Sequence, residues 1–267
     1  MTIKEALKKA KNILYYNQNY AIYILCEYLQ KERSWLFLNE NFCINEKEYF
    51  DLIHRFDNGE PFEYIFGKAY FYGMDFKIVD GVLIPRYDSE VLLHIVLSLC
   101  KKRPNLNILE IGFGSGILSI VLAKKLGVKI TACDINEKAL DLAIENAKIH
   151  KVENLIDFRL CDFKDIKENF DFVFSNPPYI KNDYKLDKWV LKEPKNALFG
   201  GEFGWEILQD IVVHFKNIKY LACEFGYDQK EILDKILKEN NFKSKFFKDE
   251  NGFFRAFYAK KENTCLK

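Results

Sequence analysis

The strongest constraint on how this chain can fold is a rhythm that begins near residue 107. Five short apolar runs follow one another: NILEIG (107–112), VKITACD (128–134), IDFRLCD (156–162), FDFVFSN (170–176) and KYLACEFG (219–226). Between the first three lie GILSIVLAKKLG and NEKALDLAIENAKIH, whose apolar residues recur at helical intervals. Strands alternating with helices cannot close as hairpins. They form a parallel sheet with helices on both faces, an α/β architecture. The final segment, FKSKFFKDENGFFRAFYAK, breaks the rhythm and reads as two strands about Asn251-Gly252, an antiparallel hairpin.

The first part of the chain follows a different period. Ile3, Ala6, Leu7, Ala10, Ile13 and Leu14 recur as on one helix, and Ala21, Ile24, Leu25, Tyr28 and Leu29 as on a second. Asn45 with Glu48 has the form of a capping box opening a third helix, and Gly59 and Pro61 then break the pattern. The expected organisation is a helical domain over 1–67, a linking β-hairpin over 68–86 turning at Asp80-Gly81, and an α/β domain over 87–267.

Charge gives no general reason to expect nucleic acid as partner. The chain carries 40 basic and 39 acidic side chains, a net +1, and its first 75 residues hold nine basic against eleven acidic ones. The helical part is therefore expected to face protein. The seven cysteines, Cys265 among them, are scattered without a C-x-x-C pair, which predicts a reducing compartment. Four histidines without ligand spacing predict no metal site. The N-terminus lacks an apolar signal core, and no run approaches the roughly 18 residues that span a bilayer. The expected location is the cytoplasm, with no membrane partner.

Two constellations carry chemistry. In LEIGFGSGIL the first strand runs into a helix through Gly112, Phe113, Gly114, Ser115 and Gly116, a turn tight enough to bring backbone close to a ligand. It is not a dinucleotide fingerprint, because Ile117 stands where glycine or alanine is required. Asp134 ends the second strand, where a carboxylate can accept two ribose hydroxyls. Asp162 and Phe163 end the third, suited to an adenine amino group and ring. All three lie on the carboxyl edge of the sheet and outline one adenosine site.

The second constellation is Asn176-Pro177-Pro178-Tyr179, at the end of the run FDFVFS. Each proline fixes φ, has no N–H, and keeps the preceding residue out of helix. The segment is stiff and presents acceptors without competing donors. The Asn176 side-chain oxygen and the Pro177 carbonyl can hold the two hydrogens of a planar –NH2 group, with Tyr179 against its plane. These residues are the expected catalytic and substrate-binding set. The –NH2 can belong to a glutamine amide or to adenine.

The glycine loop with its strand ends resembles the class I S-adenosylmethionine-dependent methyltransferases. That resemblance implies a Rossmann-like seven-stranded sheet with a C-terminal antiparallel hairpin. The N-P-P-Y signature is shared by adenine-N6 and protein-glutamine methyltransferases. The remaining motifs resemble the HemK-type (PrmC) peptide chain release factor glutamine methyltransferases: PFEYIFGKAYFYGMDFKI, LIPRYDSE (83–90), EPKNALFGGEFG (193–204), EFGYDQ (224–229) and DENGFFR (249–255). The resemblance implies S-adenosylmethionine as cofactor, held by Gly112 to Gly116, Asp134, Phe163 and Asn176, with S-adenosylhomocysteine as product. It implies as partner a class 1 peptide chain release factor, methylated on the glutamine of Gly-Gly-Gln; a ribosomal-protein glutamine and nucleic-acid adenine are the alternatives. Tyr87, Phe113 and Phe225 depart from the family pattern. Arg86 and Glu90 are read as guides to the cofactor or as an ion-paired helix start. Glu110 is read as a contact of the methionine moiety or a support of the loop, and KNDYKLDK (181–188) as a solvated lip.

Overall fold

The computed structural model describes residues 1–262, so Cys265 lies outside the described residues. The chain divides into two compact units. One is Met1–Gly67 with Asp187–Lys192; the other holds Lys68–Leu186 and the chain from Glu193 onward.

The first unit is built from α1 (Ile3–Ile13), α2 (Asn19–Leu29), α3 (Arg33–Leu38), α4 (Glu46–Asp57) and α5 (Phe62–Phe66). A full capping box starts α1: Glu5 N–H donates to Thr2 Oγ1 at 3.3 Å, and Thr2 N–H to Glu5 Oε2 at 3.0 Å. At α4 only half of the expected box forms. Asn45 accepts from Glu48 N–H, while the Glu48 carboxylate takes bonds from Asn45 Nδ2 and the Tyr28 hydroxyl instead. Ile3, Ala6, Ala10, Ile24, Leu25 and Ile53 are buried together around Tyr49, whose hydroxyl donates to the Ala21 carbonyl at 2.8 Å. The inserted segment docks through Trp189. Its ring stacks on Phe56 at 5.2 Å and its Nε1–H donates to the Phe56 carbonyl at 3.0 Å. Asn182 to Lys185 of the expected lip are exposed, as are its last two residues, Asp187 and Lys188, which belong to this unit. Trp189 beside them explains that membership: an indole gains more by covering an apolar face than by facing water.

The second unit opens with β1 (Lys68–Phe71) and β2 (Met74–Lys77), an antiparallel pair. It turns at Tyr72-Gly73 and not at Asp80-Gly81. A two-residue hairpin loop of this hand needs positive φ at both positions, and Tyr72 at 50° and Gly73 at 80° supply it. Asp80-Gly81 lies beyond the hairpin, where the Gly81 carbonyl accepts from Asn136 Nδ2 at 2.8 Å.

Next come α6 (Ser89–Lys102), β3 (Ile108–Ile111), α7 (Ile117–Leu126), β4 (Ile130–Asp134), α8 (Glu137–Ile149), β5 (Ile156–Leu160) and β6 (Phe172–Ser175). The chain continues through β7 (Ile180–Lys181), α9 (Lys195–Leu198), β8 (Phe199–Gly201), α10 (Glu206–His214), β9 (Tyr220–Glu224), α11 (Lys230–Glu239), β10 (Phe242–Lys248) and β11 (Phe254–Lys261). Seven strands form one sheet in the order β10-β11-β9-β6-β3-β4-β5, parallel except where β11 pairs with β9 and β10. Alternation along the strands separates two cores. Ile108, Phe172 and Phe174 face α6, α7 and α8, whereas Leu109, Ile111 and Val173 face α10 and α11. The Rossmann-like sheet and its antiparallel end are thus as the resemblance implied. From β3 the chain winds outward through β4 and β5, then returns to the other side of β3 as β6. That reversal leaves a crevice at the carboxyl ends of β3 and β6, where sheets of this kind take ligands.

Candidate active site

A cavity of 210 Å³ opens at the carboxyl ends of β3, β4, β5 and β6. Of the residues singled out in the sequence it gathers Gly112, Gly114, Asp134, Asp162, Phe163, Asn176, Pro177 and Pro178. A smaller one of 40 Å³ adjoins it, sharing Gly112, Gly114 and Asn176 and adding Phe113 and Ser115 with Arg86, Ser89 and Glu110. Gly116 borders neither. It turns the chain at φ 81°, and a Cβ there would stand 3.0 Å from the Ala143 Cβ, so its glycine serves the contact of α7 with α8. Phe113 is buried with its ring 4.9 Å from Phe158.

Asp134 does two jobs. Its Oδ2 accepts from Gly114 N–H and its Oδ1 from Asn136 N–H, both at 2.9 Å, which fixes the glycine loop to the end of β4. Burial raises its pKa, and these amides pull it back. Each oxygen keeps a further acceptor position, so holding the loop does not exclude holding a ribose. Asp162 accepts from Lys164 N–H at 2.9 Å, and Phe163 meets His214 edge-on at 5.7 Å. Glu110 is buried against α7 and accepts from the Ser119 hydroxyl; loss of solvation pushes its pKa up to about 8. It therefore braces the start of α7.

The acceptor segment is held from several sides. Asn176 Nδ2 donates to Ser89 Oγ at 2.9 Å. Neither Asn176 Oδ1 nor the Pro177 carbonyl accepts a hydrogen bond from a described residue. Behind the prolines runs the glycine-rich stretch at β8, which pairs in parallel with β7. A Cβ on Gly200 would lie 2.5 Å from the Pro178 carbonyl oxygen, and one on Gly204 2.6 Å from that of Tyr179. Only glycine permits so close an approach. Gln229 completes the support: its Nε2 donates to the Tyr179 carbonyl at 2.8 Å, and its Oε1 accepts from Gly226 N–H at 2.9 Å.

Tyr179 lines neither cavity. Its hydroxyl donates to Glu224 Oε1 at 2.9 Å, and burial beside that carboxylate raises its pKa well above the ordinary value. Glu224 is itself fully buried, which pushes its pKa up to about 7. Arg86 forms an ion pair with Glu193, a buried carboxylate that also accepts from Ile84 N–H at 2.9 Å. Arg86 is thus ion-paired, with distant Glu193 and not with a group at the helix start, and it also borders the smaller cavity, while Glu90 lines a separate cleft between α6 and the β10–β11 hairpin. Ser89, Glu193, Glu224 and Gln229 carried no assigned role in the sequence. Each lies inside a motif quoted above, which was the available signal.

A family profile described as the PrmC N-terminal domain matches residues 3–67, and one described as the methyltransferase small domain matches 88–202. Curated relatives carry the name release factor glutamine methyltransferase. That of Fusobacterium nucleatum subsp. nucleatum is 41% identical over 221 residues, covering 79% of this chain and 62% of its own length. That of Aquifex aeolicus is 35% identical over 224 residues, covering 80% of each chain, and that of Clostridium botulinum 34% over 254 residues, covering 89% and 90%. Among solved structures, ribosomal protein L11 methylase from Lactobacillus delbrueckii subsp. bulgaricus matches with TM-score 0.52 at 21% identity, covering 69% of this chain and 84% of that one. The hMettl16 catalytic domain matches with TM-score 0.59 at 16% identity, covering 72% and 77%. Likenesses at these identities speak for the fold alone.

Proposed function

The chain belongs to the release factor glutamine methyltransferase family, and from that premise we propose that it methylates the side-chain amide nitrogen of the Gly-Gly-Gln glutamine in class 1 peptide chain release factors, with S-adenosylmethionine as donor. The residues at the crevice fit such a donor: two carboxylates, Asp134 and Asp162, at neighbouring strand ends, an aromatic ring at Phe163, and a backbone loop at Gly112–Gly114. When bound, the sulfonium supplies a methyl group already activated for transfer, and no metal is assigned to the step on that chemical ground.

An amide nitrogen is a poor nucleophile because its lone pair is shared with the carbonyl. Asn176 Oδ1 and the Pro177 carbonyl each accept one hydrogen of the –NH2, which favours a pyramidal nitrogen and turns its lone pair toward the methyl carbon. The nitrogen–carbon bond forms as the carbon–sulfur bond breaks, and the extra proton leaves the nitrogen afterwards. Catalysis on this reading is mainly positioning, worth up to ~7–11 kcal/mol in well-oriented systems, with a polar grip in a partly dry site.

The observation that carries the reading is the pair of acceptors, Asn176 Oδ1 and the Pro177 carbonyl, left without a donor from the described residues beside the cavity while Asn176 Nδ2 is held by Ser89. We assign the helical unit to holding the release factor, the protein to the cytoplasm, and no nucleic acid as partner. The test is incubation with isotopically labelled donor and a release factor, followed by mass mapping. Label on the Gly-Gly-Gln glutamine is expected. Label on a ribosomal-protein glutamine or on adenine, with none on the release factor, would replace this reading by one of the alternatives.

A further inference from the structure

The grip just described needs Asn176 to present its oxygen and not its nitrogen to the substrate. An amide side chain can sit either way round, and nothing in β6 itself chooses. Three observations bear on the choice. Asn176 Nδ2 stands 2.9 Å from Ser89 Oγ. Ser89 lies at the start of α6, only 2% exposed, and its hydroxyl is near enough to the Glu224 carboxyl at the end of β9 to favour that group's charged form, without a hydrogen bond of good geometry between the two. Glu224 Oε1 is taken by the Tyr179 hydroxyl, while Oε2 is buried and has no partner of good geometry among the described residues.

A serine hydroxyl has one hydrogen, free to rotate to its best acceptor. Once Glu224 is ionised, above its pKa of about 7, a buried carboxylate oxygen without a donor costs more than a neutral group left unmet, so in that state the hydrogen belongs on Glu224. Ser89 then has only lone pairs to offer Asn176, and a lone pair accepts from Nδ2 alone. We propose that Ser89 and Glu224 are positioning residues for the methyl transfer: Glu224 takes the Ser89 hydrogen, Ser89 takes the Asn176 amide hydrogen, and Oδ1 is thereby aimed at the substrate nitrogen. Glu224 clamps the N-P-P-Y segment at both ends, at Tyr179 directly and at Asn176 through Ser89. The charged groups around it are Asp88 at the start of α6 and Arg255 on β11, which pairs with Asp88 at 3.3 Å and Asp249 at 2.9 Å.

This inference rests on the reading above, and its test separates the two. Wild-type protein is first assayed on a release factor; absence of methylation there removes the function itself. With an active wild type, Ser89→Ala is expected to lower kcat about 10- to 100-fold, with donor Kd and melting temperature near wild type. Ser89→Thr keeps the hydroxyl and is expected to restore kcat to within a few-fold. Glu224→Gln can donate to Ser89 and so release its hydrogen toward Asn176; a loss similar to Ser89→Ala is expected, and the double variant no worse than the poorer single one. Wild-type kcat in Ser89→Ala, failure of Ser89→Thr to restore it, or losses that multiply in the double variant would overturn the inference. If Glu224→Gln does not fold, the Ser89→Ala and Ser89→Thr pair decides alone.

Discussion

The two halves of the crevice are built on different principles. On the donor side, the loop after β3 is held by backbone amides: Gly114 and Asn136 bond Asp134, and Gly116 seats α8. On the acceptor side, N-P-P-Y has no amide of its own to offer at its two prolines, so side chains from distant elements hold it. Ser89 reaches it from α6, Glu224 from β9, and Gln229 from the start of α11, while Gly200 and Gly204 make room for its carbonyls. The donor side is a local fold of the chain. The acceptor side exists only when the sheet is assembled, which suits a site that must align a weak nucleophile to within an ångström.

Substitutions can break this contrast. Asn176→Ala removes one of the two grips and is expected to lower kcat on the release factor at least ~100-fold, by analogy with loss of a transition-state hydrogen bond, while donor Kd changes only a few-fold. Comparable losses in both would merge the two halves into one. Gly200→Ala forces a methyl against the Pro178 carbonyl, and a shift of that segment is expected to cost kcat on the order of 10- to 100-fold. Steady-state kinetics with donor in excess checks both. Asp134→Ala is expected to show the opposite split, with donor affinity lowered about 10-fold or more and kcat at saturating donor much less affected, read by calorimetry beside kinetics. Tyr179→Phe deletes only the hydroxyl bond to Glu224, and a loss of kcat of about 3- to 10-fold is expected.

The smallest effect concerns pH. Each half contains a fully buried glutamate whose pKa is raised by loss of solvation, Glu110 to about 8 and Glu224 to about 7 against an ordinary 4.5. A carboxyl with a raised pKa in the folded state adds stability that is complete below about 4.5 and is lost as pH rises through 7 to 8. Glu110→Gln removes that titration, so its melting temperature is expected to change less than the wild type's between pH 5 and 8. An unchanged slope would mean Glu110 does not hold its proton in the fold.

How much of this was legible in the sequence follows the same division. The strand ends bearing Gly112, Asp134, Asp162 and Asn176 were readable because apolar period and loop composition are local signals. The hairpin turn was misplaced because Tyr72 at positive φ is not announced by residue type, whereas Asp80-Gly81 advertises a turn. Trp189 sits in a lysine-rich stretch whose composition reads as solvent-facing, and its partner Phe56 lies far away in the chain. Gly116 was read with the ligand loop from its composition, and its contact with Ala143 of α8 lies too far along the chain for that stretch to announce. Ser89 and Glu224 sat inside recognised motifs, but their meeting at Asn176 and Tyr179 depends on strand order, which no single stretch encodes.

The most direct test of the central claim is a crystal structure of the protein with S-adenosylhomocysteine and a release factor carrying an unmodified Gly-Gly-Gln. The account predicts Asn176 Oδ1 and the Pro177 carbonyl each within about 3.2 Å of the glutamine side-chain nitrogen, with that nitrogen facing the sulfur. A glutamine amide bound elsewhere, or an Asn176 whose Nδ2 points to the substrate, would contradict it.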